Sequence, residues 1–479
     1  MKTNLLQSTL LVTIFSLIAC HHQPAPESTS IQRPNILFIA VDDLRPELNC
    51  YGKTQIQSPN LDRLASEGFL FERAYCNVPV CGASRASILT GLRPTPDRFL
   101  DYKTRVADEA PDVITLPQHF KQNGYETFSY GKIFHHRNDR SESWTDTPWH
   151  PQMDTPGGGS WRDYQVPAHI EMDNDDSPLR GPAYEYASVT DTTYFDGKIA
   201  ERALRKLGQL SQDTSPFFMA LGFLKPHLPF NAPQKYWDLY PTDSISLAGF
   251  RDYPAEAPVQ SHHSFGELRH YNNMPQAGAV PDSTAKQLIR GYYACVTYVD
   301  AMIGRVLEGL KANGMDQNTI VILWGDHGWS LGDHGLWCKH STFNVAMQTP
   351  LLLRVPGKKG GQRIKALTEF IDVYPSLVEL SGLPLPGHLQ GNSFVGLLDD
   401  PAGKGKDALF CRWKKSDAIK TDRYLYTEWF DAEEKSVARM LYDHQNDPDE
   451  TINIAEKEEN KALVASLSQR LRQQRQLDR

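Results

Sequence analysis

"NILFIAVDDLRPELNCYG", residues 35–52, opens with an apolar run from Ile36 to Val41 and stops abruptly on Asp42 and Asp43. A run this short, rich in β-branched and aromatic residues, reads as a strand buried on both faces, the kind found in parallel sheets covered by helices. The same arrangement recurs along the chain. "YETFSYG" (125–131) runs into Lys132 and His135, "PFFMALGFL" (216–224) into Lys225 and His227, and "NTIVILW" (318–324) into Gly325, Asp326 and His327. Helical stretches lie between these runs. "SPNLDRLASEG" (58–68) carries Ser58 as N-cap, Pro59 at the first helical position and Gly68 as stop signal. "AKQLIRGYYACVTYVDAMIGRVLEGLKANG" (285–314) keeps an apolar stripe at helical spacing to Leu310. The alternation predicts an α/β fold, a large mostly parallel sheet sandwiched by helices. Ligands of such sheets collect at the carboxyl ends of the strands, so four strand ends bearing Asp, Lys and His are expected to converge on one site.

Composition narrows the function classes. The 479 residues carry 50 Lys and Arg against 58 Asp and Glu, a net charge of -8 with no basic stripe, which argues against a nucleic-acid partner. Residues 1–20 have the layout of a leader: Lys2, an apolar stretch from Leu10 to Ile18, and "LIAC" ending at Cys20. "LIAC" resembles a lipobox, so the expectation is an exported lipoprotein of the periplasm or cell envelope, anchored to membrane through lipidated Cys20. Residues 21–32, "HHQPAPESTSIQ", are polar and read as a tether. The Pro- and Gly-containing stretch 381–393 suggests a boundary, giving a catalytic domain over 33–385 and a C-terminal subdomain over 386–479. There "DALFCRW", "RYLYTEWF" and "VARMLYDH" read as strands of a smaller antiparallel sheet, followed by a helix from about Asn453. The seven cysteines show no C-x-x-C pair and no zinc spacing. Export permits disulfides among them, but the pairing is open.

Asp42, Asp43 and Asp326 supply three carboxylates and His327 an imidazole from two strand ends, a donor set for a divalent cation, with oxygen ligation favouring Ca²⁺ or Mg²⁺. In "CGASRASILTG" (81–91), Cys81 begins an apparent helix and Arg85 follows one turn later on the same face. That setting suits an activated nucleophile. A packed thiol or half of a disulfide would look the same.

The segment Cys81-Gly82-Ala83-Ser84-Arg85, with Thr90-Gly91 behind it, resembles the signature of the type I sulfatases. The resemblance runs over nearly all of the chain after the tether. "RPNILFIAVDDLRPELNCYG" is similar to the family's N-terminal metal strand and "GYETFSYGKIFHH" to its second signature. "LKPHLPF" and "GDHGWSLGDHGLWCKHS" resemble its central blocks, and "LYDHQNDPDETIN" its C-terminal segment. Among subfamilies these blocks look most like iduronate-2-sulfatase.

The resemblance implies an alkaline phosphatase-like fold and a formylglycine (3-oxoalanine) made from Cys81 by a maturation enzyme. The hydrated aldehyde would offer one hydroxyl to attack sulfur and a second whose deprotonation expels sulfate. It also implies Ca²⁺ held by Asp42, Asp43, Asp326 and His327 against residue 81, with Arg85 fixing the hydroxyls. Lys132, Lys339 and His227 would bind sulfate oxygens, His227 would protonate the leaving oxygen, and His135 would take the proton of the second hydroxyl. The implied substrate is a uronic acid 2-O-sulfate at the end of a glycosaminoglycan or an algal polysaccharide such as ulvan. Ala83 stands where many members have Pro, which bears on the maturation machinery that acts on this chain. Phosphonate and phosphodiester hydrolases of the same superfamily share the nucleophile and are the alternative enzyme class. A lipoprotein that binds sulfated glycans without cleaving them is the non-enzymatic one. Trp144, Trp149, Trp161 and Trp329 are candidates for stacking on sugar rings at the rim.

Overall fold

The computed structural model describes residues 33–154, 159–173 and 178–478, so the expected leader and the whole tether lie outside the described residues. The chain from Arg33 onward forms one compact unit. No helix among the described residues is long and apolar enough to cross a membrane.

A seven-stranded sheet forms the centre. Its strands are β1 (Asn35–Val41), β2 (Phe69–Phe71), β3 (Glu126–Gly131), β4 (Phe217–Phe223), β5 (Thr319–Gly325), β6 (Leu351–Arg354) and β7 (Gln362–Ile364). The order across the sheet is β7-β2-β6-β5-β1-β4-β3. The four runs read from the sequence are the contiguous block β5-β1-β4-β3, all parallel. Only β6 runs against its neighbours. The sheet is therefore mostly parallel, as predicted.

Alternation along each strand feeds two separate apolar layers. Leu37, Ile39 and Val41 of β1 face one side with Met219, Leu221, Val321 and Leu323. Ile36, Phe38 and Ala40 face the other with Phe218, Ala220, Ile320 and Ile322. Helices α1 (Pro59–Glu67), α3 (Phe195–Leu210) and the long α4 (Asp282–Ala312) cover the first side. Helices α2 (Cys81–Thr90) and α5 (Val373–Leu380) cover the second.

A four-stranded antiparallel sheet follows: β8 (Ala408–Trp413), β9 (Ser416–Thr421), β10 (Tyr424–Phe430) and β11 (Ser436–Asp443). Helix α6 (Lys461–Leu477) packs Val464, Leu467 and Leu471 onto Ile419, Tyr426 and Leu441 of that sheet. Three local expectations are corrected. β9, "SDAIKT", was not foreseen because its charged residues are buried in a central strand: Asp417 pairs with Arg412 at 2.7 Å and with Arg475. Helix α6 begins at Lys461 rather than near Asn453, because the Asn453 side chain accepts from Leu441 N (2.8 Å) and Ala455 N (3.0 Å), tying the chain to β11 first. Ser58 sits at the N-cap of α1 without capping through its side chain. Asp300 of α4 takes that role, accepting from Asn60 N (3.1 Å) and Leu61 N (2.8 Å).

Candidate active site

Register brings the two acidic strand ends together: Val41 of β1 lies opposite Gly325 of β5, so Asp42-Asp43 and Asp326-His327 leave the sheet side by side. Asp43 takes a left-handed backbone conformation (φ 61°) and donates its N–H to Asp326 Oδ1 at 2.9 Å. Such a conformation is costly for a non-glycine residue and is held here by the convergence of the two strand ends. The ligand atoms of Asp42, Asp43 and Asp326 lie within 4.8 Å of one another, and all three carboxylates are buried.

Cys81 is the first residue of α2, and its Sγ lies 3.4 Å from His327 Nε2 and 3.8 Å from Asp43 Oδ1. One turn on, the fully buried Arg85 donates Nε to Asp326 Oδ2 (2.9 Å), Nη2 to Asp42 Oδ1 (3.2 Å) and Nη1 to Ile133 O (3.2 Å) and Lys132 O. Arg85 thus clamps the acidic pair to the loop after β3. Lys132, first after β3, reaches Asp42 Oδ2 at 2.6 Å. Lys339 bridges both oxygens of Asp43, each at 3.1 Å, and Glu267 Oε1 at 2.8 Å. His227, from the loop after β4, directs Nε2 to Glu267 Oε1 (3.1 Å) and lies 3.8 Å from Asp43 Oδ2. Nine of the ten predicted residues thus form one contact network: Asp42, Asp43, Cys81, Arg85, Lys132, His227, Asp326, His327 and Lys339. The tenth, His135, stands beside them without a direct bond. Its ring meets Tyr102 edge-on at 6.3 Å, and its buried Nδ1 has no hydrogen-bond partner.

The electrostatics separate the roles. Burial pushes the Cys81 thiol up to about 12, more than Lys132 and Lys339 can offset, so at neutral pH it is a protonated thiol and a poor nucleophile. Burial, reinforced by Lys132, pushes His135 down, leaving a neutral imidazole. Burial opposes ionisation of Asp42, but Lys132 and Arg85 outweigh it and hold its carboxyl well below the usual range. At Asp43 burial wins over Lys339, and the carboxyl is raised well above the usual range. Three clustered buried carboxylates, one of them short of positive charge, are a donor set that fits a hard divalent cation. His327 fits it too: Nδ1 donates to Gly328 O at 2.9 Å, which leaves the lone pair of the neutral ring on Nε2, the atom facing Asp43 and Cys81.

His227 is pulled two ways. Burial and then Lys339 lower its pKa, while both ring nitrogens face oxygen acceptors, Nδ1 toward Leu228 O at 2.5 Å and Nε2 toward Glu267. The protonated ring is the form that satisfies both acceptors and can deliver a proton, and burial makes that form less favourable than for an ordinary imidazole.

Sequence reading missed Glu267. It lies in a four-residue helix, Gly266–Arg269, with no motif around it, and its importance comes from Lys339 and His227 sharing one of its oxygens. Lys225 follows β4 as expected but turns away from the site, binding the carbonyls of His227 (3.2 Å) and Pro229 (2.7 Å) and so bracing the loop that carries His227. Trp144, Trp149 and Trp329 are buried rather than at the rim, Trp329 lying beneath Lys339 with Nζ 4.8 Å from its ring centroid. Of the four tryptophans only Trp161 is partly exposed, its ring edge-on to His227 at 5.4 Å. The six described cysteines are free thiols, so no disulfide forms among them.

Comparison with known proteins gives the family. The sulfatase profile matches residues 34–383, and the C-terminal profile of N-sulphoglucosamine sulphohydrolase matches residues 332–477. The chain is 34% identical to mouse (Mus musculus) iduronate 2-sulfatase over 392 residues, covering 74% of this chain and 69% of that protein. It is 33% identical over 461 residues to a sulfatase of Formosa agariphila, covering 91% of this chain and 86% of the other. In fold it matches the phosphonate monoester hydrolase of Silicibacter pomeroyi with a TM-score of 0.76 at 23% identity, over 93% of this chain and 96% of that one. With the profile spanning most of the chain and the strand-end residues gathered round Cys81, the protein belongs to the sulfatase family and is a sulfuric ester hydrolase.

Proposed function

We propose that this sulfatase removes the 2-O-sulfate of a uronic acid at the end of a sulfated polysaccharide, through a formylglycine derived from Cys81. The observation that carries this reading is the setting of Cys81: at the N-terminus of α2, against three buried carboxylates, with Lys132 and Lys339 flanking, yet with its thiol pushed up to about 12. A protonated thiol at the centre of such a site supports a reading in which residue 81 acts after conversion to another group. Oxidised to formylglycine and hydrated, residue 81 supplies a hydroxyl nucleophile and a second hydroxyl whose proton can be removed to release sulfate. Ca²⁺, when bound, supplies the charge that acidifies the hydroxyl and offsets the sulfuryl oxygens.

The chain's own residues do the rest. Asp42, Asp43, Asp326 and His327 hold the cation, and Arg85 fixes two of those carboxylates in place. Lys132 and Lys339 carry ammonium groups to the sulfate oxygens. His227 gives its Nε2 proton to the leaving sugar oxygen, and Glu267 favours the charged form of that ring and holds Lys339 in position. His135, neutral and with a free buried nitrogen, accepts the proton when sulfate leaves. The uronate preference is supported by the 34% identity to iduronate 2-sulfatase.

The fold is shared with a phosphonate monoester hydrolase and so does not choose between ester classes. Turnover of a 2-O-sulfated uronate by matured enzyme, against an aryl phosphodiester, makes that choice: a higher kcat/KM on the phosphodiester would overturn the sulfatase reading of the substrate. The leader and "LIAC" support export and a lipid anchor at Cys20, which radiolabelled fatty acid incorporation into the native chain, and its loss in Cys20→Ser, would test.

A further inference from the structure

Beyond His227 lies an arginine that has no ion-pair partner among the described residues. The Trp161 ring, edge-on to His227 at 5.4 Å, is also the neighbour of two arginines, the guanidinium of Arg162 lying 5.3 Å and that of Arg180 lying 5.6 Å from its centroid. The two arginines differ in one respect. Arg162 is neutralised by Asp173, its Nε reaching Oδ1 at 2.6 Å and Oδ2 at 2.8 Å. Arg180, half-buried, forms no ion pair among the described residues. Its guanidinium lies against a second aromatic ring, that of Tyr271, at 5.5 Å. Tyr271 is fully buried, and its hydroxyl faces the Arg180 guanidinium without meeting it in a well-aligned hydrogen bond.

The backbone holds this group in place: Arg180 N donates to His270 O at 2.7 Å and Asn272 N to Arg180 O at 3.2 Å. Arg180 is thus stitched to the segment that carries both Tyr271 and Glu267. Two aromatic rings close to the guanidinium restrict it, and a planar five-donor group keeps N–H groups beyond those contacts for an acceptor. A buried phenol beside it adds another donor, and leaving either group unpaired is costly.

We propose that Arg180 and Tyr271 form the subsite that receives the carboxylate of the uronate whose sulfate is removed. The inference rests on the uronate reading given above and assigns the residues that would enforce it. In a uronate the C5 carboxylate lies across the pyranose from O2, and the Trp161 ring neighbours both His227 and Arg180. Arg180 is then a specificity residue, its planar fork matched to a carboxylate in two parallel hydrogen bonds. A second sulfate on a neutral sugar would offer the same charge at that place, so the test must tell the two anions apart.

The test compares kcat/KM of matured wild type, Arg180→Leu and Arg180→Lys on three substrates: a 2-O-sulfated uronate glycoside, its carboxyl-reduced counterpart, and a 2,6-di-O-sulfated hexoside. Wild type should favour the uronate over the reduced sugar by about 30- to 100-fold. In Arg180→Leu that ratio should collapse toward unity, chiefly through KM, and Arg180→Lys should restore part of it. An unchanged ratio in Arg180→Leu overturns the assignment of Arg180, and so does an equal loss on all three substrates, the mark of a structural role. A disulfated hexoside preferred over the uronate, with that preference lost in Arg180→Leu, overturns the carboxylate in favour of a second sulfate. Wild type that does not distinguish the uronate from its reduced form overturns the substrate reading itself, whatever the variants do.

Discussion

Two buried charge networks in this molecule can be set side by side. One ties the core to the C-terminal sheet. In it Glu369 accepts Arg93 at 2.5 Å through each oxygen, Lys406 at 2.5 Å and Phe410 N at 2.9 Å, while Lys406 also binds Asp372 at 2.6 Å. Burial would raise the Glu369 pKa, but Arg93 and Lys406 reverse it and hold the carboxyl far below its usual range. The other network is at the strand ends, where Asp43 is raised well above its usual range, Glu267 Oε2 has no partner and His135 Nδ1 has none. In the first network both oxygens of Glu369 are matched by cations and N–H donors, and its role is structural. The second leaves charge and lone pairs over, and the leftover capacity matches a cation and a sulfated sugar in kind.

The contrast can be broken most severely at Cys81. Cys81→Ala should lower sulfate release by about 10⁴-fold or more while the thermal midpoint stays close to wild type, because a small buried group is exchanged for a smaller one. Comparable turnover in that variant would refute the mechanism. Lys339→Ala should cost about 10²- to 10³-fold in kcat, as expected for a positioned charge on the transferring group. Its effect should exceed that of any exposed lysine.

The two networks should respond oppositely to loss of a carboxylate. Glu369→Gln strands buried cations and should destabilise by about 3–5 kcal/mol in denaturant unfolding, whether or not calcium is present. Asp43→Asn removes a poorly compensated carboxyl, so in chelator its midpoint should equal or exceed wild type, while the stabilisation by added Ca²⁺ expected of wild type should vanish. If both variants lose stability equally in chelator, the distinction between closed and open networks fails.

The smallest effect sits at Glu267. Glu267→Gln keeps the acceptor oxygen and loses the charge, and should lower kcat/KM about tenfold. It should also move the pH profile. Burial and Lys339 lower the His227 pKa and Glu267 raises it, so the group sits below 6.5, and activity that needs its proton falls as pH rises through that value. Without the Glu267 charge the falling limb should shift to lower pH; a shift upward would contradict the role.

The core strands were legible because β1, β4 and β5 are buried on both faces with nearly unbroken apolar runs, and β3, though it carries Thr127 and Ser129, ends on the same strand-to-charge step. β9 was not, because Asp417 and Lys420 are buried in it and only pairing across the sheet makes that tolerable. The site followed the same rule. Asp42, Asp43, Lys132, His227, Asp326 and His327 sit immediately after strands, where position alone marks them, and Cys81 heads a helix. Lys339 was legible only through its family motif. Glu267 and Arg180 carry no such mark: one lies in a four-residue helix and the other in an irregular loop, and what they do depends on contacts with His227, Lys339 and Trp161 that no local pattern encodes. The rim failed for the converse reason. Trp144, Trp149 and Trp329 looked like sugar platforms but are packing residues, and exposure is a property of the whole fold.

The most direct test of the account is the mass of the peptide carrying residue 81, taken from protein made in a host that matures such enzymes. The account predicts a peptide about 18 Da lighter than its cysteine form, the aldehyde that replaces a thiol too buried to ionise. A fully active preparation whose peptide carries only the unmodified thiol would contradict it.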